Sequence, residues 1–458
     1  MLVSFQSRPA VREALWLAAA LLLLLATRLW VLIELHILPK PKYLINNWQH
    51  LALEDLRADL WGALYGLHSQ PPLWNFIIGL NAIACDADAW CVTRSLYLQN
   101  AVYTTLIFLC FYATTRLLTG RMAVSLVAAT SFCLLPSLFY YENYAFYPHL
   151  SLFLSSLLML GTAIWFTRWE RVGLICCGVG LSSLSLTWTL FHPLFIALLM
   201  GYMVATAWNT ASRQFAIRVA LLSLLVAIAP SVKNQISHGI FANGSWFGLH
   251  LAQVSPTKMA ECRFGTIIDG FEDGQHLGTA LNAPAVIQLS RKCGKHALGH
   301  IAARPIKYLK RRFFSACDSL SKWPSAYFHP PLNWDNFPTS TIFPVMDAEG
   351  DCELKGEYLR IAALAFNLVA LMLFPVAAVI DPSRNRRWFF AFAALFVFCF
   401  VLTAHAFNDG EQERMRYTVQ NFLWLSYTVG LPAAVKWVWS RFRGRGATAA
   451  SLEHGATG

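Results

Sequence analysis

Apolar runs close to the twenty residues needed to cross about 30 Å of hydrocarbon recur along this chain, and they constrain it more than any motif does. They fall at 12–33, 97–115, 122–138, 147–166, 173–189, 192–208, 217–231, 357–380, 388–405 and 417–437. Hydrophobic residues make up 56% of the chain and charged residues only 13%, against about 25% charged in ordinary soluble domains. The expected fold is an all-α polytopic membrane protein of about ten transmembrane helices. The shortest run, 217–231, is expected to begin earlier, to tilt or to be partly buried.

Basic residues set the expected orientation. Arg8 and Arg12 precede the first run. Arg116 and Arg121, Arg168 and Arg171, Arg213 and Arg218, and Arg384, Arg386 and Arg387 fill alternate short loops, and Lys436, Arg441, Arg443 and Arg445 follow the last. With ten spans all six clusters fall on one side, which places both termini in the cytoplasm. The formal charge of +11 is largely this bias, so no nucleic-acid partner is implied. The first run is long and has no small-residue cleavage site, so it reads as a retained span rather than a signal peptide.

This topology divides the chain into an N-terminal transmembrane module (1–231), an extracytoplasmic domain (232–356), C-terminal transmembrane helices (357–437) and a basic, polar cytoplasmic tail (438–458). The other outer segments are loops at 34–96 and 139–146, a turn near 190 and a last loop at 406–416. The 232–356 segment is long enough for a small domain of mixed, irregular structure. Cys85, Cys91, Cys262, Cys293, Cys317 and Cys352 all fall in these segments. An even number in an oxidising compartment suggests disulfides, Cys85–Cys91 being the simplest, with free buried thiols as the alternative.

The outer loops carry the chemistry. In the first, Leu53, Leu56, Leu60, Leu64 and Leu67 stand at helical spacing, the mark of an amphipathic helix able to lie in the headgroup plane. Its polar positions include Glu54, Asp55, Arg57 and Asp59. A carboxylate held at a membrane surface can serve as a general base; a solvated helix face is the plainer explanation. His68 and Gln70 follow, before a stiffening Pro71-Pro72. The second loop, FYYENYAFY (139–147), is aromatic around one acid, Glu142. Such an acid is costly at a membrane edge unless paired or functional, and no basic residue is close in sequence. It could orient a nucleophile, bind a metal or pair with an arginine from another loop.

The last loop offers Asp409, Glu411, Glu413, Arg414 and Arg416. Outer arginines run against the positive-inside trend, and a lipid phosphate would account for them. Lys233-Asn234 is a second such candidate, with snorkelling as the alternative. Asp86-Ala87-Asp88 has the outline of a metal–nucleotide DxD motif but is explained by loop polarity. His192, with Trp188 and Pro193, either lines a cavity or is a satisfied buried histidine. No HExxH or Cys-x-x-Cys spacing supports a zinc site.

LHSQPPLWN (67–75), YEN in the second loop, VKN followed by GIFANGSWFG (239–248), and ExxRY (413–417) together resemble the GT-C superfamily of integral-membrane glycosyltransferases, nearest its protein mannosyltransferase-like and aminoarabinose transferase-like branch. The likeness covers the first seven spans and the last loop. It implies a GT-C-like helical fold with amphipathic helices in the first outer loop. It also implies transfer of a sugar from a polyprenyl-phosphate carrier to a glycan, lipid or protein acceptor on the outer face of a membrane, here a bacterial inner membrane. By that likeness Asp55 or Asp59 is the base, Glu142 supports it, and Lys233, Arg414 and Arg416 hold the carrier phosphate. His68, Gln70, Asn234 and Glu413 are the remaining substrate contacts. No cofactor is required, although a divalent metal at Glu142 remains open. The competing class is a flippase or transporter for lipid-linked sugars, which would be expected to show internal repeats and mid-membrane charges.

Overall fold

A computed structural model describes residues 9–34, 41–45, 47, 49–255, 262, 276–321, 352–407 and 412–440, and every regular element among them is helical. In chain order these are α1 (Pro9–Ile33), α2 (Lys42–Ile45), α3 (Leu53–Ala58), α4 (Leu60–Gly66), α5 (Pro72–Ala84), α6 (Ala89–Thr119) and α7 (Met122–Cys133). Then come α8 (Pro136–Glu142), α9 (Pro148–Arg168), α10 (Arg171–Thr187), α11 (Pro193–Ala207) and α12 (Arg213–His238). The remainder are α13 (Phe247–Val254), α14 (Leu277–Leu281), α15 (Pro284–Ala303), α16 (Pro305–Ser321), α17 (Cys352–Ile380), α18 (Arg384–Phe407) and α19 (Gln412–Leu425), which runs into a π-helical turn, Ser426–Gly430.

The apolar runs lie mainly on helical backbone, but 122–138 is broken at Leu134–Leu135 between α7 and α8. Helices long and apolar enough to cross a membrane are Ala10–Ile33, Ala89–Thr119, Pro148–Arg168, Arg213–His238 and Arg384–Ala404. Shorter apolar helices are Pro72–Ala84, Met122–Cys133, Arg171–Thr187, Pro193–Ala207 and Leu364–Ile380. The run read as 217–231 belongs to a helix of 26 residues that carries Pro230 inside it. The first of the shorter helices, α5, sits in the segment read as an outer loop.

Local chemistry fixes many of the boundaries. Proline opens α5, α9, α11 and α15, where its missing N–H is no loss and its φ is preset for a helix. Asp88 caps α6 by accepting from the Cys91 N–H at 2.7 Å. Gly120, at φ 69°, ends it in the left-handed conformation that glycine tolerates best. The tightest helix pair is α9 with α10. A Cβ on Gly161 would stand 2.7 Å from the Gly173 carbonyl oxygen, and one on Gly173 2.6 Å from that of Gly161. Packing through small residues of this kind is typical of helices in lipid. α1 leaves Leu15, Trp16, Leu22, Leu25 and Trp30 exposed, which suits a helix with hydrocarbon on most sides.

One expectation changes. The leucines at 53, 56, 60, 64 and 67 are all buried, but their helix breaks at Asp59 into α3 and α4 and packs on α5. A Cβ on Gly79 of α5 would come within 2.3 Å of Leu60. The stripe therefore serves protein packing, not the headgroup plane. The described part of 232–356 is helical; 256–261, 263–275 and 322–351 lie outside the described residues, and with them the rest of the expected mixed domain. Trp246, Leu249, Val254, Leu281, Val286 and Ala297 form its own core, fastened by a Cys262–Cys293 disulfide. The expected Cys85–Cys91 bridge is formed and Cys317 is a free thiol; the Cys352 side chain lies outside the described residues.

Candidate functional site

A cavity of about 650 Å³ opens where residues from several predicted loops meet the ends of α11 and α18. Its lining is largely apolar, with Leu194, Phe195 and Leu198 of α11 and Cys399 and Leu402 of α18. Aromatic, amide and imidazole groups of Gln49, Gln70, Tyr147, Trp188, His192, Trp246 and His250 complete it. His192 also caps α11, its Nδ1 accepting from the Leu194 N–H at 3.3 Å, and burial lowers its pKa. The amide of Gln49 is buried, and its Oε1 has no hydrogen-bond partner among the described residues. That atom is an acceptor in want of a donor.

Directly behind the cavity wall, the Leu67–Gln70 strand of chain meets the 243–245 turn. A Cβ on Gly244, which lines the cavity, would stand 2.8 Å from the Ser69 carbonyl oxygen. Ser245 donates its N–H to the His68 carbonyl at 2.7 Å, and its hydroxyl is 2.8 Å from His68 Nδ1. Asn282 Oδ1 accepts from the N–H groups of His68 and Ser69 at 2.8 and 3.0 Å. Lys233 Nζ donates to the Leu67 carbonyl, and the His238 ring stands edge-on to His68 at 4.7 Å. Burial, with help from His238 and Lys233, pushes the His68 pKa down to about 4, so the ring is neutral near pH 7. Its Nε2 is buried and has no hydrogen-bond partner among the described residues. Asn234, next to Lys233, turns away to donate to the Ala242 carbonyl at 2.8 Å. The fold thus unites His68 and Lys233 and sets Gln70 on the cavity wall beside them.

Glu142 lies elsewhere, inside a buried polar network. Arg28 of α1 donates through Nε to Glu142 Oε2 at 3.2 Å and through Nη2 to the Cys133 carbonyl at 2.8 Å. The Thr104 hydroxyl donates to the same carboxylate oxygen at 2.8 Å, and Asn100 donates to the Glu142 carbonyl at 3.0 Å. His149 extends the network to the Tyr417 hydroxyl, 2.7 Å from its Nδ1. The guanidinium also sits over the Phe139 ring at 4.3 Å. Burial pushes the Glu142 pKa up, opposed by the Arg28 charge and the Thr104 and Arg28 hydrogen bonds. The sequence argument for Glu142 leaned on the lack of a basic neighbour along the chain; the fold supplies one 114 positions away.

The first-loop acids do not line the cavity. Asp59 is exposed and caps α4, accepting from the Gly62 N–H at 2.9 Å. Asp55 is exposed on α3 and accepts from the Thr279 hydroxyl at 3.3 Å. Asp86 and Ala87 have positive φ, Asp88 is a helix cap, and Asp86 pairs with Arg57 at the surface, which agrees with the loop-polarity explanation. Among the described residues no group of three or more His, Cys, Asp or Glu could hold a metal. Asp409 and Glu411, and the side chains of Glu413, Arg414 and Arg416, lie outside the described residues.

Arg28, Gln49 and Asn282 went unnoticed in the sequence, and Ser245 was met only within GIFANGSWFG (239–248). Arg28 had a signal: an arginine inside an apolar run is rare and needs a partner. The others are common polar residues in loops, and only contacts across the chain single them out. No family model matches this chain, and no curated protein is similar to it.

Proposed function

We propose that this chain is a membrane glycosyltransferase that moves a sugar from a polyprenyl-phosphate carrier to an acceptor on the outer face. The observation behind it is the mixed lining of the cavity. Its apolar helical side chains suit a prenyl chain, and its amides, imidazoles and aromatic rings suit a hydroxyl-rich sugar. The reading takes all ten apolar runs as spans, with both termini cytoplasmic and the cavity facing out, as the arginine pattern favours.

In this reading the acceptor oxygen loses its proton to a base and attacks the anomeric carbon as oxocarbenium character develops. The bond to the carrier phosphate breaks, and cationic groups stabilise the departing oxygens. A single displacement inverts the anomeric centre. Lys233 is the described cation nearest this role, since an ammonium has three N–H donors and the Leu67 carbonyl takes one. By the GT-C resemblance Arg414 and Arg416, at the start of α19, would share that role. Of the candidate bases, His192 and His250 have the better position, on the cavity wall, than Asp55 or Asp59. Glu142, held by Arg28, serves here as a positioning residue.

The test is transfer of radiolabelled sugar from a polyprenyl phosphate in membranes. Wild type is compared with Gln70→Ala, His192→Ala, His250→Ala, Asp55→Asn and Asp59→Asn. The reading expects transfer in wild type, a loss of tenfold or more in one imidazole variant, and near-normal rates in the aspartate variants. Loss confined to Asp55→Asn or Asp59→Asn returns the base to the first loop. Label that crosses the bilayer without being transferred would assign a lipid-linked sugar flippase instead.

A further inference from the structure

We infer that α16 is a membrane-surface helix that seats on anionic lipid headgroups. Ile306, Leu309 and Phe313 form one stripe along it, with Phe314 beside them. They are 80%, 64%, 66% and 59% exposed. Lys307 and Lys310, also exposed, lie together on one side of this stripe, with Lys310 between Ile306 and Phe314. The opposite face is anchored to the protein. Arg312 is buried, the Tyr308 hydroxyl donates to the Ala406 carbonyl, and Arg311 donates to the Ser255 carbonyl at 3.2 Å.

The anchor decides the occupant. Ala406 lies at the end of α18, whose Arg384–Ala404 stretch is long and apolar enough to cross a membrane. α16 is therefore held at the level where that helix leaves the hydrocarbon. Its apolar stripe points away from the protein and has lysines along one side. An apolar face beside a basic edge is a pattern of helices that lie in the interface plane, with the lysines drawn to anionic headgroups. Exposed Arg291, Lys295 and Arg304 on and just after α15 enlarge the basic surface. The sequence placed such a helix at 51–67, but there the leucines are consumed by packing on α5. Here the apolar side chains are left over.

The inference rests on the membrane embedding of α18 and not on glycosyl transfer, so a failed transfer assay leaves it standing. The test uses the full chain with Cys317→Ser, reconstituted in phosphatidylethanolamine–phosphatidylglycerol vesicles. A nitroxide is placed in turn at Leu309→Cys, Phe313→Cys and Lys310→Cys. Labels at 309 and 313 are expected to relax more with oxygen than with a polar nickel chelate, and the label at 310 to be reached by both. Adding Lys307→Glu and Lys310→Glu should lower the oxygen preference at 309 several-fold in these vesicles and little in phosphatidylcholine. Labels at 309 and 313 that read as water-exposed overturn the inference. So does shielding from both reagents, which would mean that residues 322–351 or a second copy cover the face. Phe314→Cys replaces either site if a variant fails to fold.

Discussion

Glu142 and Asp59 are both carboxylates in segments that the sequence marks as loops, and the fold holds them in opposite ways. Glu142 is 1% exposed, and Arg28, Thr104 and Asn100 reach it from two other helices. Asp59 faces solvent, and its described contact is the first turn of its own helix. A buried charge is tolerated only with a partner in place, whereas an exposed cap stabilises its helix locally. Whether an acid matters globally thus depends on what tertiary structure brings to it, not on the motif around it.

Breaking the buried pair gives the largest expected effect. Arg28→Ala leaves the Glu142 carboxylate without its counter-charge, which should destabilise the protein by about 3–5 kcal/mol. Thermal unfolding in detergent would show this as a large drop in Tm. The double variant Arg28→Met, Glu142→Met should recover much of the loss, because it removes both charges. An additive double variant would contradict the coupling.

Acidification is next. Burial is the first cause of the low pKa of His50 and His68, both about 4 against an ordinary value near 6.5. The unfolded chain binds these protons first, so their stabilising contribution is complete above about pH 6.5 and falls away as pH drops toward 4. Tm should fall across that window, and His50→Gln or His68→Gln should flatten the fall. A profile equally steep in both variants would assign the acid sensitivity to other groups.

At the exposed end, Asp59→Ala should remove a helix cap and lower stability by about 1 kcal/mol, while Asp59→Ser should be close to neutral. Asp55→Ala should change stability by less than about 0.5 kcal/mol. A loss from Asp59→Ala that matched the Arg28→Ala effect would erase the contrast between the two acids.

The apolar runs were plain in the sequence because each helix in lipid must be apolar along its own length, which makes the signal local. Cys85–Cys91 was legible for the same reason: a six-residue separation needs little help from the rest of the fold. For His192 the sequence left a cavity wall and a satisfied buried histidine equally open; the side chain lines the cavity and also caps α11. The leucine stripe at 53–67 was found, but periodicity says only that one face is covered and not by what. That the cover is α5, and that α16 instead leaves Ile306, Leu309 and Phe313 exposed, are facts about neighbours.

What the sequence determined by itself is the helical, membrane-embedded class of this protein and the ends of many of its helices, because hydropathy, proline and capping act within a few residues. Tertiary structure alone decided that Arg28 meets Glu142, that His68 meets Ser245, Asn282 and Lys233, and that Gln49, Trp188 and Trp246 share one cavity. Those contacts join residues separated by tens to hundreds of positions. Each depends on how helices cross and which side chains close packing leaves facing one another, and no local pattern encodes that.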